Sequence, residues 1–494
     1  MLNTKDSWKS KIIFFFLINI CFTLLFMSSP LYDFSVYIGD SGIYQSIARE
    51  MLNGKILYKE AFDHKGPFIF FIYIIPLLFK NVNMGTFILD VILYNSIFYL
   101  HYKTLRLKRS ELFTWLVLLI EMFFLYKFHV NLCPESFVLL TLSYMNYWIL
   151  SKQYLNPTKL QLLICGVLTG LVFWIKFSLG VPIAIIYFYV IYNIFKNKLP
   201  GKINYFIYPL LGFMIPTAAV LGYFIYHGAV SDLIYSYFIV NTRYSNPSSD
   251  FNFDVLIYYL IGLVLMLVGM LIYNFIKKNK EYTFLCITYL ILIIPVFIMT
   301  KSVFAYYFIP FLCIAALPGS IEVRIDFNKY FKIAFLTFLS LLLILELISM
   351  GIDINNVSSS FKSLDKFGED VGSVESVSTF YFAGNPILAN LDSTNYKYSI
   401  FTNLTIEQYP EMWQEIYDDV NNKEIEYIIF RHKDIENFDM KDFNRELFFD
   451  NFNINLFFQN CEATKQFILD INDEVIENYD FFNSYGGYVV LKRK

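Results

Sequence analysis

The stretch Gly39-Asp40-Ser41-Gly42-Ile43-Tyr44, with Tyr58 and then Asp63-His64-Lys65-Gly66-Pro67 behind it, decides how this chain is read. It sets carboxylates, a histidine and a lysine between an apolar run at 11–29 and a long, largely apolar stretch that offers little other chemistry. Hydrophobic residues make up 56% of the 494, aromatics 20% and charged residues only 16%. A soluble chain carries roughly 25% charge, so most of this one is built for a bilayer. Reactive side chains gathered beside a membrane anchor point to work at a bilayer surface.

The charge is divided unevenly. Residues 351–494 hold 12 Lys and Arg against 25 Asp and Glu, whereas residues 1–350 hold 27 against 17. The formal net charge of −3 thus hides a basic membrane part and an acidic tail. No basic stripe lies outside the loops between spans, so nucleic acid is not expected as a partner. Five cysteines lie in or beside apolar spans and Cys461 lies alone in the tail, which therefore needs no disulfide. The N-terminus has the charge order of a signal peptide but no convincing cleavage site, and reads as a retained anchor.

A spanning helix needs about 20 apolar residues. Candidates are 11–29, 84–102, 111–127, 136–150, 160–176, 179–195, 204–226, 253–274, 282–300, 303–320 and 331–349. The run 68–79 is too short and reads as interfacial. With that run outside, the basic groups fall on one side. These are Lys5, Lys9, Lys103, Arg106, Lys108, Arg109, Lys152, Lys159, Lys196, Lys198, Lys202, Lys277, Lys278, Lys280, Arg324 and Lys329. The opposite loops carry scattered single charges apart from the first, which is rich in Arg49, Lys55, Lys59 and Lys65. The positive-inside rule then predicts a cytoplasmic N-terminus, about eleven spans and an extracytoplasmic tail. The expected fold is a polytopic α-helical membrane protein, residues 1–350, with a first outer loop at 30–83. A small extracytoplasmic α/β domain, 351–494, follows. Its strands are expected near 376–391, 425–430 and 486–492, and a helix at 406–420.

Within the first outer loop, Ile43, Ile47 and Met51 fall four apart, with Tyr44 and Ala48 on the same side. This predicts a helix lying against the membrane with Asp40 at its start and Gly54 ending it. Pro67 opens the second, short apolar helix. Asp40 and Asp63-His64-Lys65 are then expected to converge on one cavity. Each residue also has a structural reading: Asp40 as a helix cap, Asp63 as a turn-former, and Lys65 as a lysine snorkelling to the interface.

Asp40, Tyr44, Ala48, Gly54, Tyr58 and Asp63-His64-Lys65-Gly66-Pro67 together resemble the first-loop signature of the GT-C superfamily of membrane glycosyltransferases. The branch it resembles includes protein mannosyltransferases and lipid A aminoarabinose transferases. The resemblance is specific over 33–80 and follows the hydrophobic order to about 320. It implies transfer of a sugar from a polyprenyl-phosphate carrier to a glycan, lipid or protein acceptor outside the cytoplasm, with Asp40 as the catalytic aspartate and Lys65 near the carrier phosphate. The family often has two prolines after that lysine; here Gly66 stands in place of the first.

The chemistry agrees. A sugar leaving a lipid phosphate departs as a stable anion, so the demands are a base for the acceptor hydroxyl and a cation for the departing phosphate. Asp40 and Lys65 fit these roles, and a one-step displacement inverts the anomeric centre. His64, Tyr44, Glu135, Lys176, Arg243, Tyr306 and Tyr307 (with Lys301 nearby) are further candidates for contact with donor or acceptor. For the tyrosines an aromatic belt is the competing reading. Neighbouring carboxylates permit a divalent metal without requiring one. Asp90 and Glu121 sit inside spans with no assigned task. Composition suggests a bacterial plasma membrane and a cell-envelope acceptor. The alternatives are a polysaccharide polymerase or ligase, for which only Arg243 offers the usual later-loop arginine, and a lipid-linked sugar flippase, which predicts internal repeats that are not evident. No Trp-Trp-Asp sequence occurs, which disfavours an oligosaccharyltransferase.

Overall fold

The computed structural model describes residues 40–80, 82–128, 133–243, 254–294, 305–320, 366–372, 374–378, 393–398, 406, 409–431, 462–485 and 488–494. The expected spans 11–29 and 331–349, the strand residues 379–391 and Lys301 lie outside them, as do the side chains of Asp40 and Arg243.

The membrane part runs α1 (Asp40–Leu52), α2 (Pro67–Leu77), α3 (Val82–Leu105), α4 (Glu111–Phe128), α5 (Pro134–Leu150), α6 (Lys159–Lys176), α7 (Val181–Lys196) and α8 (Asn204–Tyr226). A broken segment at 230–243 follows, π-helical over Ile234–Val240, then α9 (Asp254–Ile276) and α10 (Lys280–Ile293). Among the described residues three helical stretches, 84–105, 159–196 and 204–226, are long and apolar enough to cross a bilayer.

The expected α-helical span at 303–320 is instead a 3-10 helix, Ala305–Ser320. Pro310 and Pro318 remove donors that an α-helix would need. A 3-10 helix rises about 2.0 Å per residue, so even this short run covers about 32 Å, close to the thickness of the hydrocarbon core.

Two helices pack backbone to backbone. A Cβ on Gly166 of α6 would lie 2.0 Å from the Pro209 carbonyl oxygen of α8, and one on Gly212 of α8 would lie 2.1 Å from the Leu163 carbonyl oxygen. In lipid, where apolar burial gives little drive for association, this close approach is what holds helices together. Polar side chains add to it. The His101 Nδ1 lies 2.6 Å from Glu121 Oε1 and its Nε2 2.6 Å from Ser143 Oγ, joining α3, α4 and α5. Asn146 joins α5 to the 3-10 helix through the Cys313 carbonyl and to α10 through the Tyr289 hydroxyl. Glu121 is thereby part of an interhelical seam, and Asp90 is fully buried.

Among the described residues the basic loops near 103–109, 152 and 277–281 meet at one end of the bundle. Arg109 donates to the Gly319 carbonyl at 2.9 Å, Lys152 pairs with Glu281 at 3.6 Å, and Lys108 sits over the Tyr282 ring. The starts of α2 and α5 and the end of α6 lie at the opposite end.

The predicted membrane-facing stripe of α1 is corrected. Tyr44, Ile47 and Ala48 are buried, and so are Ser41, Gln45, Ser46 and Glu50, so the helix is enclosed by protein on nearly every side. Its C-terminus matches expectation. Gly54 takes φ +97° two residues beyond Leu52, and the Lys55 amide returns to the Glu50 carbonyl at 2.9 Å.

The tail carries a five-stranded sheet in the order β2-β1-β3-β5-β4. Its strands are β1 (Val374–Ser378), β2 (Ser393–Asn395), β3 (Tyr427–Arg431), β4 (Tyr479–Tyr485) and β5 (Tyr488–Arg493). β1 pairs parallel with β2 and β3, and β5 pairs antiparallel with β3 and β4. Helices α11 (Pro410–Asn421) and α12 (Glu462–Asn478) cover it, burying Trp413, Ile416, Ile471 and Val475.

The α6–α8 contact gives a direct test. Gly166→Val must push two backbones apart and is expected to lower the stability of the detergent-solubilised protein by about 1–3 kcal/mol, the usual range for overpacking. Gly222→Ala, with open space around its Cβ, should leave the melting temperature unchanged or slightly raised. Equal effects would show that the contact does not constrain the bundle.

Candidate functional site

The site is built around the turn that joins α1 to α2. Asp63 is 5% exposed, and its Oδ1 accepts the amides of His64 at 2.5 Å and Lys65 at 2.8 Å. A carboxylate that collects two successive N–H groups folds its own chain into a tight turn. Tyr58 closes the turn from the other side: its hydroxyl donates to the Lys65 carbonyl at 2.5 Å, and its ring stacks on Phe224 at 5.4 Å. Tyr58 takes φ +67°, a conformation that costs a non-glycine residue about 1–2 kcal/mol. The cost is offset by its amide bond to the Ala61 carbonyl at 2.8 Å. Burial, with Tyr237 and Asp63 nearby, raises its pKa well above the ordinary phenol value, so it remains a donor.

Gly66 explains why the turn sits where it does. A Cβ there would lie 2.3 Å from the Trp174 carbonyl oxygen and 2.4 Å from that of Ile175. Only glycine lets the chain press against the last turn of α6, and the next residue on that helix is Lys176. Proline, the residue expected from the resemblance at this place, would collide with those carbonyls.

The contact brings together residues far apart in sequence. Lys65 Nζ donates to His64 Nε2 at 3.5 Å. With Nε2 accepting, the imidazole carries its proton on Nδ1, which faces Asp63 Oδ1 at 3.7 Å. The His64 pKa is driven well below its ordinary value, first by burial and then by the charges of Lys65 and Lys176. Both lysines thus act on the one ring. Lys176 is also 2.5 Å from Glu135 Oε1 and lies over the Tyr307 ring, 4.5 Å from its centroid. Glu135 stands in the first turn of α5, a favourable place for a carboxylate, and is 1% exposed. Tyr306 is half-buried, its ring edge-on to Tyr307 at 5.0 Å.

Of the expected site residues, His64, Lys65, Glu135, Lys176 and Tyr307 are therefore neighbours, and Asp63 shapes their turn. Asp40 is the first residue of α1 and Arg243 the last of the 230–243 segment. Tyr44 is fully buried, its ring against Phe70 at 5.8 Å and Tyr73 at 5.5 Å, so it packs α1 onto α2 instead of facing open space.

Two residues of the 230–243 segment, Tyr237 in its π-helical part and Asn241 just after it, were not legible as site residues. Asn241 Nδ2 donates to the His64 carbonyl at 2.5 Å and to the Tyr237 carbonyl at 2.7 Å. The Tyr237 hydroxyl donates to the Phe173 carbonyl at 2.5 Å and accepts the Phe177 amide at 3.0 Å. One short segment thus ties the His64 turn to the end of α6. Nothing in the run Phe238-Ile239-Val240-Asn241 signals this beyond one amide side chain after three apolar residues. Among the described residues no three His, Cys, Asp or Glu side chains gather as a metal would require.

Two ammonium groups, one of them paired with Glu135, and a neutral imidazole beside Asp63 come together here, cations that could meet an anionic ligand. Lysine meets phosphate as a point charge, and a half-buried setting strengthens that attraction over its value in water.

No family model and no curated protein matches the chain. Among solved structures it is similar to several of the oligosaccharyltransferase of Archaeoglobus fulgidus. The complex of AglB with an inhibitory peptide and a dolichol-phosphate is 12% identical with a TM-score of 0.45, over 86% of this chain and 69% of that one. The form tethered to an acceptor peptide gives 12% and 0.45 over 98% and 74%. The complex with zinc and sulfate gives 12% and 0.46 over 96% and 73%. At these scores the similarity carries no assignment.

The state of His64 has a measurable consequence. The folded turn holds it neutral, whereas in the unfolded chain it titrates near pH 6.5. Below about pH 6.5 the unfolded chain binds the extra proton more readily, so His64's contribution is retained above that pH and lost as pH falls through it. His64→Gln should therefore lose less melting temperature than the parent between about pH 7.5 and 5.5, on either side of that midpoint. Equal losses would contradict the assigned state.

Proposed function

We propose that the chain is a membrane glycosyltransferase of the GT-C type, moving a sugar from a polyprenyl-phosphate carrier to a hydroxyl on a glycan, lipid or protein acceptor. The reading rests chiefly on one observation: Gly66 presses on the Trp174 and Ile175 carbonyls, which sets Lys65 of the first loop beside the end of α6 that carries Lys176. Two cations contributed by separate elements match the need of a departing lipid phosphate, which gathers charge as the glycosidic bond breaks.

In this reading Asp40 takes the proton of the acceptor hydroxyl as that oxygen attacks the anomeric carbon. The bond to the carrier phosphate breaks on the opposite face, and the configuration inverts. Lys65 and Lys176 meet the phosphate. Glu135 holds Lys176 in place, and the Tyr307 ring steadies its charge through a cation–π contact. His64, kept neutral, accepts from Lys65 and so aims it. The carrier's isoprenoid tail lies in the bilayer, so the reacting carbon arrives confined to the surface plane. In this reading the end bearing the site, opposite the described basic loops, is the extracytoplasmic one, and the membrane is a bacterial plasma membrane.

The test is transfer by membranes supplied with a panel of radiolabelled polyprenyl-phosphate sugars. One donor should be used by the parent chain, and Asp40→Asn should reduce its use by about 100-fold or more, the scale of a lost general base, with protein level and insertion unchanged. Full activity in that variant overturns the role of Asp40, and no turnover of any lipid-phosphate donor by the parent overturns the function. Lys65→Ala should raise the donor concentration needed for half-maximal rate by about tenfold and leave acceptor dependence alone, as expected for a charge-assisted contact to phosphate. An unchanged donor dependence contradicts its phosphate role.

A further inference from the structure

The acidic tail reaches the site turn from two sides. Phe62, immediately before Asp63, donates its amide to the Lys397 carbonyl at 3.1 Å, and its ring meets Tyr398 edge-on at 5.2 Å. The buried hydroxyl of Tyr409 donates to the Val240 carbonyl at 2.6 Å. Val240 precedes Asn241, whose amide holds the His64 carbonyl. Phe62 and Val240 thus belong to the same buried cluster as Tyr396, Tyr398, Tyr409 and Trp413 of the tail.

The tail side of this contact is itself braced. Tyr398 donates to Glu415 at 2.6 Å, Lys397 pairs with Glu415 at 2.8 Å, and Tyr396 donates to Asp419 at 2.5 Å. All three fix the 396–398 turn to α11, and Tyr409 is the residue just before that helix. The tail therefore presents two linked grips, one on Phe62 and one on Val240, with Asp63-His64-Lys65 between them.

We propose that Tyr409 and the 396–398 turn are positioning elements for the anion site: the docked tail sets the backbone from which Lys65 and His64 project, so the site is assembled only with the tail in place. This rests on the anion-binding role of Lys65 in the function proposed above. Tyr409 acts through Val240 and Asn241 on the His64 carbonyl. Losing its hydroxyl removes a buried hydrogen bond from the backbone that holds one end of the turn.

The test uses the full chain in detergent, with farnesyl phosphate as the probe and two readouts. Hydrogen exchange over 57–66 reports the grip, because the Phe62 amide is bonded to Lys397. Calorimetry reports binding. Tyr409→Phe should speed exchange over 57–66 without altering exchange in α6 and α8, and should weaken farnesyl phosphate binding about tenfold, as for one buried hydrogen bond lost. Tyr417→Phe, which removes a tail hydrogen bond to Glu474 away from the grips, should change neither readout. Lys65→Ala should weaken binding with exchange unaltered.

Unchanged exchange in Tyr409→Phe overturns the proposal, and so does faster exchange with binding intact. If the parent and Lys65→Ala bind farnesyl phosphate alike, the anion-site reading fails by its own control, and a positioning role for Tyr409 falls with it.

Discussion

The whole site depends on how closely the chain at Gly66 approaches the last carbonyls of α6. A single methyl there would overlap two backbone oxygens, so the approach is a property of backbone, not of adaptable side chains. From it follow the nearness of Lys65 to the end of α6 that carries Lys176, the burial that holds His64 neutral, and the seat of the Asp63 turn against the bundle. The bundle makes the approach possible in turn. α6 is itself held by glycine-mediated contact with α8, and its end is fixed by Tyr237 from the π-helical segment. The i→i+5 hydrogen bonding of such a segment widens the turn and changes the angular step between side chains, and Asn241, the residue after it, donates to the His64 carbonyl.

The division of labour among the site residues follows from their surroundings. Glu135, almost wholly buried, would be costly without Lys176, so the two form a fixed unit. Lys65 donates to the neutral His64 ring, and Lys176 is anchored by Glu135. The hydrogen bonds of Tyr58 and Asp63 keep the turn in shape.

Much of this was legible in the sequence, for reasons that differ by element. Proline at 67 and glycine at 54 mark helix ends through backbone chemistry that does not depend on packing, and both lie within two residues of the boundaries observed. The span 204–226 is a long apolar run without charge and matches α8 to the residue. The burial of α1 was not legible, because an apolar stripe looks the same whether it meets lipid or protein, and Ser41, Ser46 and Glu50 on the other face gave no hint of burial. The 3-10 helix at 305–320 was missed because hydropathy does not distinguish helix types; its two prolines were the available signal. β4 escaped notice because Asp480 and Asn483 break its alternation and resemble turn residues. Asp63-His64-Lys65 stood out as chemistry, whereas Asn241 and Tyr409 act through backbone carbonyls, which a sequence does not display.

The central claim is that Lys65 and Lys176 serve one anion. A double-mutant cycle on farnesyl phosphate binding, with Lys65→Ala, Lys176→Gln and the pair, measures this most directly. If both cations meet the same phosphate, the second substitution should cost less, or more, than it does alone, with a coupling of about 0.5–3 kcal/mol. Losses that add within about 0.3 kcal/mol, the behaviour of independent positions, would mean two separate sites and contradict the account.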